Sequence, residues 1–241
     1  MSSRPLVSII TAVYNGRQFI EEAIQSVFNQ TCQPVQYIIM DGGSTDGTLS
    51  IIGKHANRID VVCSGKDRGI ADAWNKGLMH AKGDILGFLN SDDWYDPRTL
   101  ETVIQSLRKN DLTITYGDVV FVDRASGRLL ERSRGHFEPG KLLHGFGFFH
   151  TSCFFSRVVL ERVGMFSTRY RIAIDTDWLL RGIKKGVSFS HAGNTTYMRT
   201  GGVSFARQEA ASSEYLRQLV FHGFFRKEAV CHIARRLLRR G

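Results

Sequence analysis

Residues 67–94 read DRGIADAWNKGLMHAKGDILGFLNSDDW. The segment predicts a helix over 70–81, stopped by Gly83, because a glycine just past the last turn takes the backbone out of the helix. It then predicts a buried strand over 84–89. Ile85-Leu86-Gly87-Phe88-Leu89 is a short apolar run of the kind that fills a parallel sheet. Two adjacent carboxylates, Asp92 and Asp93, follow at once. In open α/β sheets ligands bind beyond the carboxyl ends of the strands, so the acids stand where a ligand is expected. Unpaired, they repel each other, and a hard divalent cation shared with substrate phosphates removes that repulsion. A plainer reading is a solvated loop ahead of a helix opened by Asp96-Pro97. The acid pair on its own leaves both readings open.

The same rhythm extends outward. Upstream, strands are expected over 6–14, 35–40 and 60–63, with helices over 18–29 and 48–55 between them; downstream, the next helix covers 97–109. Such alternation argues for an α/β layer on a mostly parallel sheet. After Leu112 the rhythm changes. Short strands are expected over 113–116, 119–122 and 129–132, the last two joined by a hairpin loop at Asp123-Arg124-Ala125-Ser126-Gly127. An aromatic-rich stretch over 146–155 follows, then a short helix over 158–163 stopped by Gly164. A helix over 174–185 carries Asp175 and Asp177. No repeat or low-complexity linker interrupts the chain. The expected organisation is one domain over 1–203, its two halves meeting near residue 112, with a helical tail over 204–241.

The 241 residues are 42% hydrophobic and 23% charged, which supports a real core under an ordinary surface. No run reaches the length that spans a bilayer, and the opening MSSRPLVSIITAVYNG lacks a signal-peptide pattern. A cytoplasmic location is therefore expected. Cys32, Cys63, Cys153 and Cys231 lie far apart, without metal spacing, and read as reduced, packed thiols. The net charge is +9, and Arg207–Gly241 holds eight Lys/Arg against three Glu. A basic balance suits nucleic acid, anionic lipid or phosphorylated ligands. In the tail, Val230, Ile233, Ala234, Leu237 and Leu238 recur at helical spacing, with Arg235, Arg236, Arg239 and Arg240 off the stripe. Such a helix can lie in an anionic membrane interface, peripheral on the inner face of the cell membrane. It can equally dock on its own domain, or on a second copy in a homo-oligomer, with the arginines merely solvated.

Two further loops are suited to a ligand. Thr11-Ala12-Val13-Tyr14-Asn15-Gly16 puts small and polar residues at a strand's end, where a base or ribose can lie on the backbone; it also reads as a plain turn. In Asp41-Gly42-Gly43-Ser44-Thr45-Asp46-Gly47, Asp41 is placed to accept from a ribose hydroxyl or base N–H, and the glycines permit close approach. The third spaced glycine of a dinucleotide fold and the Lys-Ser/Thr of a phosphate loop are both missing, so neither site is expected.

Taken in order, VSIITAVYNG, IIMDGGSTDGT, DRGIADAWNKGLMHAKGD, LGFLNSDDW and AIDTDWLLRG resemble the motifs of family 2 glycosyltransferases of the GT-A fold, over roughly residues 6–185. The resemblance runs closest to enzymes that build bacterial surface polysaccharides. It implies that Thr11, Tyr14 and Asp41 hold base and ribose, and that Asp67 and Asp72 line the same pocket. Ala12, Gly43, Ser44, Asn75, Lys76, Asn90 and Ser91 fall within the segments that line the nucleotide-sugar. Asn90-Ser91-Asp92-Asp93 matches the family's DxD-like motif, which holds Mg²⁺ or Mn²⁺ on the diphosphate. Asn90 stands where many relatives have Asp, which leaves the metal to Asp92 and Asp93. Trp74 stands where many have Arg, and reads as core packing.

Aligning Leu179-Leu180-Arg181 on the family pattern places Asp175 on the catalytic base, with Ile174 replacing the Glu before it and Asp177 as rival. Unaided, these acids read as a helix cap and a first-turn charge. His150 falls where relatives often carry a His on the acceptor side; alone among aromatics it reads as a hydrogen-bonded core residue. Arg199, in the Gly-rich stretch Tyr197–Ser204, suits a loop closing over the diphosphate, or an ordinary mobile loop.

The expectation is an inverting, metal-dependent glycosyltransferase. It would move a sugar from a nucleotide-diphospho-sugar to a glycan or polyprenyl-lipid-linked acceptor, with no nucleic-acid partner. A nucleotidyltransferase would also use an α/β sheet and paired acids, but would release pyrophosphate from a nucleoside triphosphate. A basic nucleic-acid-binding module would show steep salt dependence without metal, and does not account for five ordered motifs.

Overall fold

A computed structural model describes residues 5–202 and 207–224. The tail stripe from Val230 to Leu238, and Cys231 with it, lies outside the described residues.

The first half follows the apolar runs. Strands β1 (Val7–Val13), β2 (Val35–Asp41), β3 (Val61–Ser64) and β4 (Ile85–Phe88) lie parallel in the order β3-β2-β1-β4. Helices α1 (Ile20–Phe28), α2 (Thr48–Gly53) and α3 (Ile70–His80) make the crossovers. Strand side chains alternate between the faces of a sheet, and successive residues accordingly serve two cores. Ile9, Ile39 and Phe154 pack on one face with α1 and Leu100 of the next helix; Ile10, Ile38 and Phe155 pack on the other with Trp74 and Trp178. A parallel strand covered on both faces must be apolar throughout, which is why these runs were legible. Cys32 and Cys153 are buried, as packed thiols should be, while Cys63, on the edge strand β3, is partly exposed.

The second half completes the sheet. Its elements are β5 (Trp94–Tyr95), α4 (Thr99–Ser106), β6 (Thr113–Val122), β7 (Leu129–Ser133), β8 (Phe154–Ser156), α5 (Arg157–Val163), α6 (Ile174–Lys184), β9 (Ser188–Arg199) and α7 (Gln208–Phe221). The sheet continues β4-β8-β6-β9-β5, with β7 on β6. β8 runs antiparallel to both neighbours, while β6 and β9 are parallel. The fold is therefore the expected α/β arrangement, mostly parallel with a smaller antiparallel part.

Three expectations change. The strands expected over 113–116 and 119–122 are one strand, β6, whose register with β9 shifts between Tyr116 and Asp118. Gly117 is not a break there: a Cβ on it would lie 2.2 Å from the carbonyl oxygen of Asn194, so only glycine lets the two strands approach. β9 was not foreseen at all. Its inward positions include polar Asn194, Thr196 and Arg199, all buried, so it carries no apolar alternation to read. The stretch read as a loop from Tyr197 thus begins as the end of β9, and Arg199 is a strand residue.

Candidate active site

The carboxyl ends of β1, β2 and β4 open onto one cleft. Asp41 ends β2 and is buried; it accepts hydrogen bonds from the Gly43 and Ser44 N–H groups, both 3.0 Å, and the Ser64 hydroxyl, 2.6 Å. Burial alone would raise its pKa, but the bonds from Ser44, Ser64 and the Gly43 backbone outweigh it and hold the carboxyl below its ordinary range. The loop after β1 is tied to this one. The Asn15 N–H donates to the Ser44 hydroxyl at 2.8 Å, and the Thr45 N–H donates to the Asn15 side-chain carbonyl at 2.9 Å.

Tyr14 projects into solvent at 67% exposure, available to stack on a planar ligand. Beside it, a Cβ on Gly42 would meet the Asp67 carboxylate at 2.6 Å and the Tyr14 ring at 3.5 Å, so these three converge. Asp72, in the first turn of α3, pairs with Lys76 at 2.9 Å and Arg68 at 3.3 Å; the bond from Lys76 is the chief reason its pKa lies below the usual value. Ala12 is half-buried, behind this surface.

Two residues expected in the pocket are placed elsewhere. The Thr11 side chain is fully buried, its hydroxyl 3.1 Å from that of Tyr37, so it braces β1 against β2 rather than facing the cleft. Asn75 spends its amide on the backbone of Phe166, donating to its C=O and accepting from its N–H, both at 2.9 Å. It clamps α3 to the loop ahead of α6. Trp74, beside it, is core as expected, packed among Phe88, Phe166 and His150.

The turn after β4 separates the two acids. The Asp93 N–H closes on the Asn90 carbonyl, which sends Asp93 inward and leaves Asp92 outward. Asp93 is 1% exposed, accepting from the Asn90 amide at 2.9 Å and the Arg199 N–H at 3.0 Å. Burial first, and then the neighbouring Asp92 charge, push its pKa up to about 7. Asp92 is partly exposed and pairs with Arg124 at 2.6 Å. Of the two acids expected to carry a metal, Asp93 thus has both oxygens bonded inside the protein, and Asp92 is the outward one. Ser91 abuts Gly16 and so joins this turn to the loop after β1.

Arg199 is likewise corrected. Its guanidinium donates to the Asp92 carbonyl at 2.6 Å, pairs with Glu22, and lies over the rings of Phe19 and Trp94 at 4.3 and 4.4 Å. Held this way, and buried, it buttresses the acid turn from behind instead of riding a mobile loop.

Across the cleft stands Asp175, in the first turn of α6, its carboxylate 30% exposed. His150 begins the short 3₁₀ turn His150–Ser152 just before β8 and bridges the two walls. Its Nδ1 is 3.5 Å from Asp175, and its Nε2 is 3.3 Å from the side-chain carbonyl of Asn90. Asp177 points the other way. It is 4% exposed, bound by Arg181 at 2.8 Å and His222 at 2.9 Å. Two residues on a helix lie about 200° apart, so one carboxylate of the pair faces the cleft and the other the core. Of the two candidates for the base, Asp175 is therefore the more exposed and Asp177 is held by Arg181 and His222.

The signal that reading missed lies past residue 203. Glu214, Gln218 and His222, four residues apart on α7 and beyond, all bond the start of α6.

Residues 8–173 match the family described as Glycosyl transferase family 2, more than half of the chain. The chain belongs to this family. The PGL/p-HBAD biosynthesis glycosyltransferase of Mycobacterium tuberculosis is 29% identical over 89% of this chain and 84% of its own length. Among solved structures, the mannosyltransferase PcManGT of Pyrobaculum calidifontis, in complex with GDP-Man and Mn²⁺, superposes with a TM-score of 0.69 at 20% identity, covering 94% of this chain and 66% of that one. S. aureus TarS 1–349 with UDP-GlcNAc gives a TM-score of 0.65 at 17% identity, covering 90% and 66%. At such identities the structures show the shared GT-A fold, and this chain spans about two thirds of each of those two chains. The protein is a glycosyltransferase, which sets aside the nucleotidyltransferase and nucleic-acid readings.

A glycosyltransferase cleft of this shape fits a divalent cation in one way. Among the described residues no three or more His, Cys, Asp or Glu converge as a ready-made cage. Asp92 offers a single outward carboxylate. Mg²⁺ characteristically takes one or two carboxylates and completes its shell with substrate phosphates and water. Asp92 therefore fits a cation shared with a diphosphate, and Asp93 does not.

Proposed function

We propose that this glycosyltransferase transfers a sugar, with inversion, from a nucleoside-diphosphate sugar to a hydroxyl of a glycan or lipid-linked acceptor in surface-polysaccharide synthesis. The observation that carries the reading is the bridge Asp175–His150–Asn90. It sets an accessible carboxylate opposite the acid turn, near the surface where Tyr14, Gly42 and Asp67 converge. Base and ribose lie against Tyr14 and the Asp41–Ser44 loop, and the diphosphate lies toward Asp92 and Lys76.

Asp175 takes the proton from the acceptor hydroxyl. The hydroxyl oxygen forms the new bond to the anomeric carbon as the bond from that carbon to the diphosphate oxygen breaks. Attack opposite the leaving group inverts the centre, and the electron pair departs with the nucleoside diphosphate. A divalent cation bound through Asp92 supplies charge neutralisation for that leaving group. His150 keeps Asp175 in register with the acid turn. The donors printed for PcManGT and TarS, GDP-Man and UDP-GlcNAc, support the donor class and leave the base open.

No helix among the described residues is long and apolar enough to cross a membrane. Attachment to anionic lipid through the apolar stripe Val230, Ile233, Ala234, Leu237 and Leu238 with its flanking arginines, close to a lipid-linked acceptor, belongs to the proposal.

A thermal-shift screen with UDP, GDP and dTDP, each with and without Mn²⁺, tests the donor side, since a ligand raises stability by RT ln(1 + [L]/Kd). One nucleotide should shift the protein, and Mn²⁺ should enlarge that shift. If none does at millimolar concentration, the donor reading is wrong.

A further inference from the structure

The family match stops at residue 173, just short of Asp175. What holds Asp175 comes from further along the chain. We infer that α7 is a positioning element for the catalytic base, with Glu214, Gln218 and His222 as its positioning residues; this rests on Asp175 being the base.

The need arises in α6 itself. The first N–H groups of a helix lack partners within it, and the N-cap residue here is Ala173, whose methyl group can accept nothing. Glu214, on α7, instead fixes the chain just ahead of that turn, accepting from the N-cap amide and the two amides before it. One of its carboxylate oxygens takes the Ile172 N–H at 2.9 Å and the Ala173 N–H at 3.0 Å, and the other takes the Arg171 N–H at 3.1 Å. Three consecutive amides leading into the base-bearing turn are thus gathered on one carboxylate. Gln218, fully buried, donates to the Ala173 carbonyl at 2.9 Å. His222, one turn further, bonds Asp177 at 2.9 Å, and the Arg181 side chain binds the other Asp177 oxygen.

The grip therefore covers residues on both sides of Asp175 and takes neither oxygen of its carboxylate, one of which accepts the Thr176 N–H at 2.9 Å while the other lies 3.5 Å from His150. Tyr215, next to Glu214, donates its hydroxyl to the Leu142 carbonyl and packs on Phe146, which anchors α7 to the domain. Burial, and then the Asp175 charge, raise the Tyr215 hydroxyl above its usual pKa, consistent with the closeness of α7 to the base.

Positioning errors of about 1 Å cost roughly 100-fold in rate, so loosening this grip should act on turnover and spare donor binding. The test uses the full chain with Glu214→Ala and the conservative Glu214→Gln, beside Asp175→Asn. Three readouts are taken. They are hydrogen exchange at amides 171–177, the Mn²⁺-dependent thermal shift by UDP, GDP and dTDP, and hydrolysis of UDP-glucose, UDP-N-acetylglucosamine, dTDP-rhamnose and GDP-mannose per nucleotide-binding site. In Glu214→Ala, exchange should quicken at 171–177 and stay unchanged at 41–44. The kcat should fall roughly 10–100-fold with donor KM unchanged, and Glu214→Gln, which keeps an acceptor oxygen, should recover much of the loss. Parent-like kcat in Glu214→Ala with Asp175→Asn inactive overturns the inference and leaves the base assignment standing. A fall shared equally by nucleotide binding and turnover also overturns it, because α7 is then only structural. Parent-like turnover in Asp175→Asn overturns the base assignment and this inference with it.

Discussion

The two walls of the cleft are held together over different distances along the chain. On the wall at the ends of β1 and β2, the bonds are between near neighbours or adjacent loops: Asp41 to Gly43 and Ser44, Asn15 to Ser44 and Thr45, Asp67 to the Gly69 N–H. On the facing wall they run far. Asn75 holds Phe166, His150 reaches Asn90, Arg199 braces Asp93, and Glu214 caps the lead into α6. A wall made of local turns is complete as soon as its own loops close. A wall made of remote contacts depends on the whole domain being packed. Substitutions on the first should therefore alter ligand affinity near the change, and substitutions on the second should alter catalysis or global stability.

The largest effect expected is at Asp175. Asp175→Asn should lower turnover roughly 10²–10⁴-fold, the usual range for loss of a general base, with nucleotide affinity almost unchanged. Its neighbour sharpens the contrast, for Asp177→Asn should lower thermal stability while turnover per folded molecule persists. An inactive but stable Asp177→Asn would show that the wrong carboxylate has been assigned to the cleft.

Next comes the hinge between the walls. Trp74→Ala empties a site shared by Phe88, Phe166 and His150, and should cost about 3–5 kcal/mol by denaturant unfolding. A loss well under 1 kcal/mol would mean that the remote wall does not depend on this core.

The acid turn should divide cleanly. Asp92→Asn should weaken Mn²⁺-dependent nucleotide binding roughly 10–100-fold, the scale of one charge-assisted interaction, measured by calorimetry. Asp93→Asn should leave that binding near the parent's, since Asp93 faces Asn90 and Arg199. Equal losses in both would return the two acids to a shared role.

The smallest effect concerns Asp41. Asp41→Ala leaves the Gly43 and Ser44 amides without their acceptor and should cost roughly 1–3 kcal/mol, with weaker nucleotide binding. The native carboxyl lies below its ordinary value, so its contribution is present above that ordinary value and is lost as the pH falls through the depressed native one. The stability gap between parent and variant should accordingly narrow in acid; a gap independent of pH would assign the loss to packing alone.

The same division explains what was readable beforehand. β1, β2 and β4 announce themselves because a strand buried on both faces has to be apolar, and the loops after them are marked by Asp, Asn and Gly for local backbone reasons. The inward turn of Asp93 depends on one hydrogen bond to Asn90, which spacing does not encode. Thr11 was misplaced because a strand's last polar residue can face either the ligand or the next strand. Asp177 turns inward because two steps along a helix nearly reverse the direction of a side chain. β9 hides because its buried positions are polar, and the stripe Glu214, Gln218, His222 hides because its partners lie about forty residues upstream.

Arg199 also bears on how the chain reaches its final state. Its guanidinium links Glu22 to a residue 177 positions later and rests on rings from both the first crossover and the acid turn. Contacts of such separation form late, because long loops must close before they are rewarded. The geometry of Asp92 and Asp93 therefore requires β9 to be in the sheet, since the Arg199 N–H holds Asp93 and its guanidinium holds the Asp92 carbonyl. A chain in which β9 is not in place should consequently gain no stability from nucleotide, so that only the fully packed domain sequesters donor.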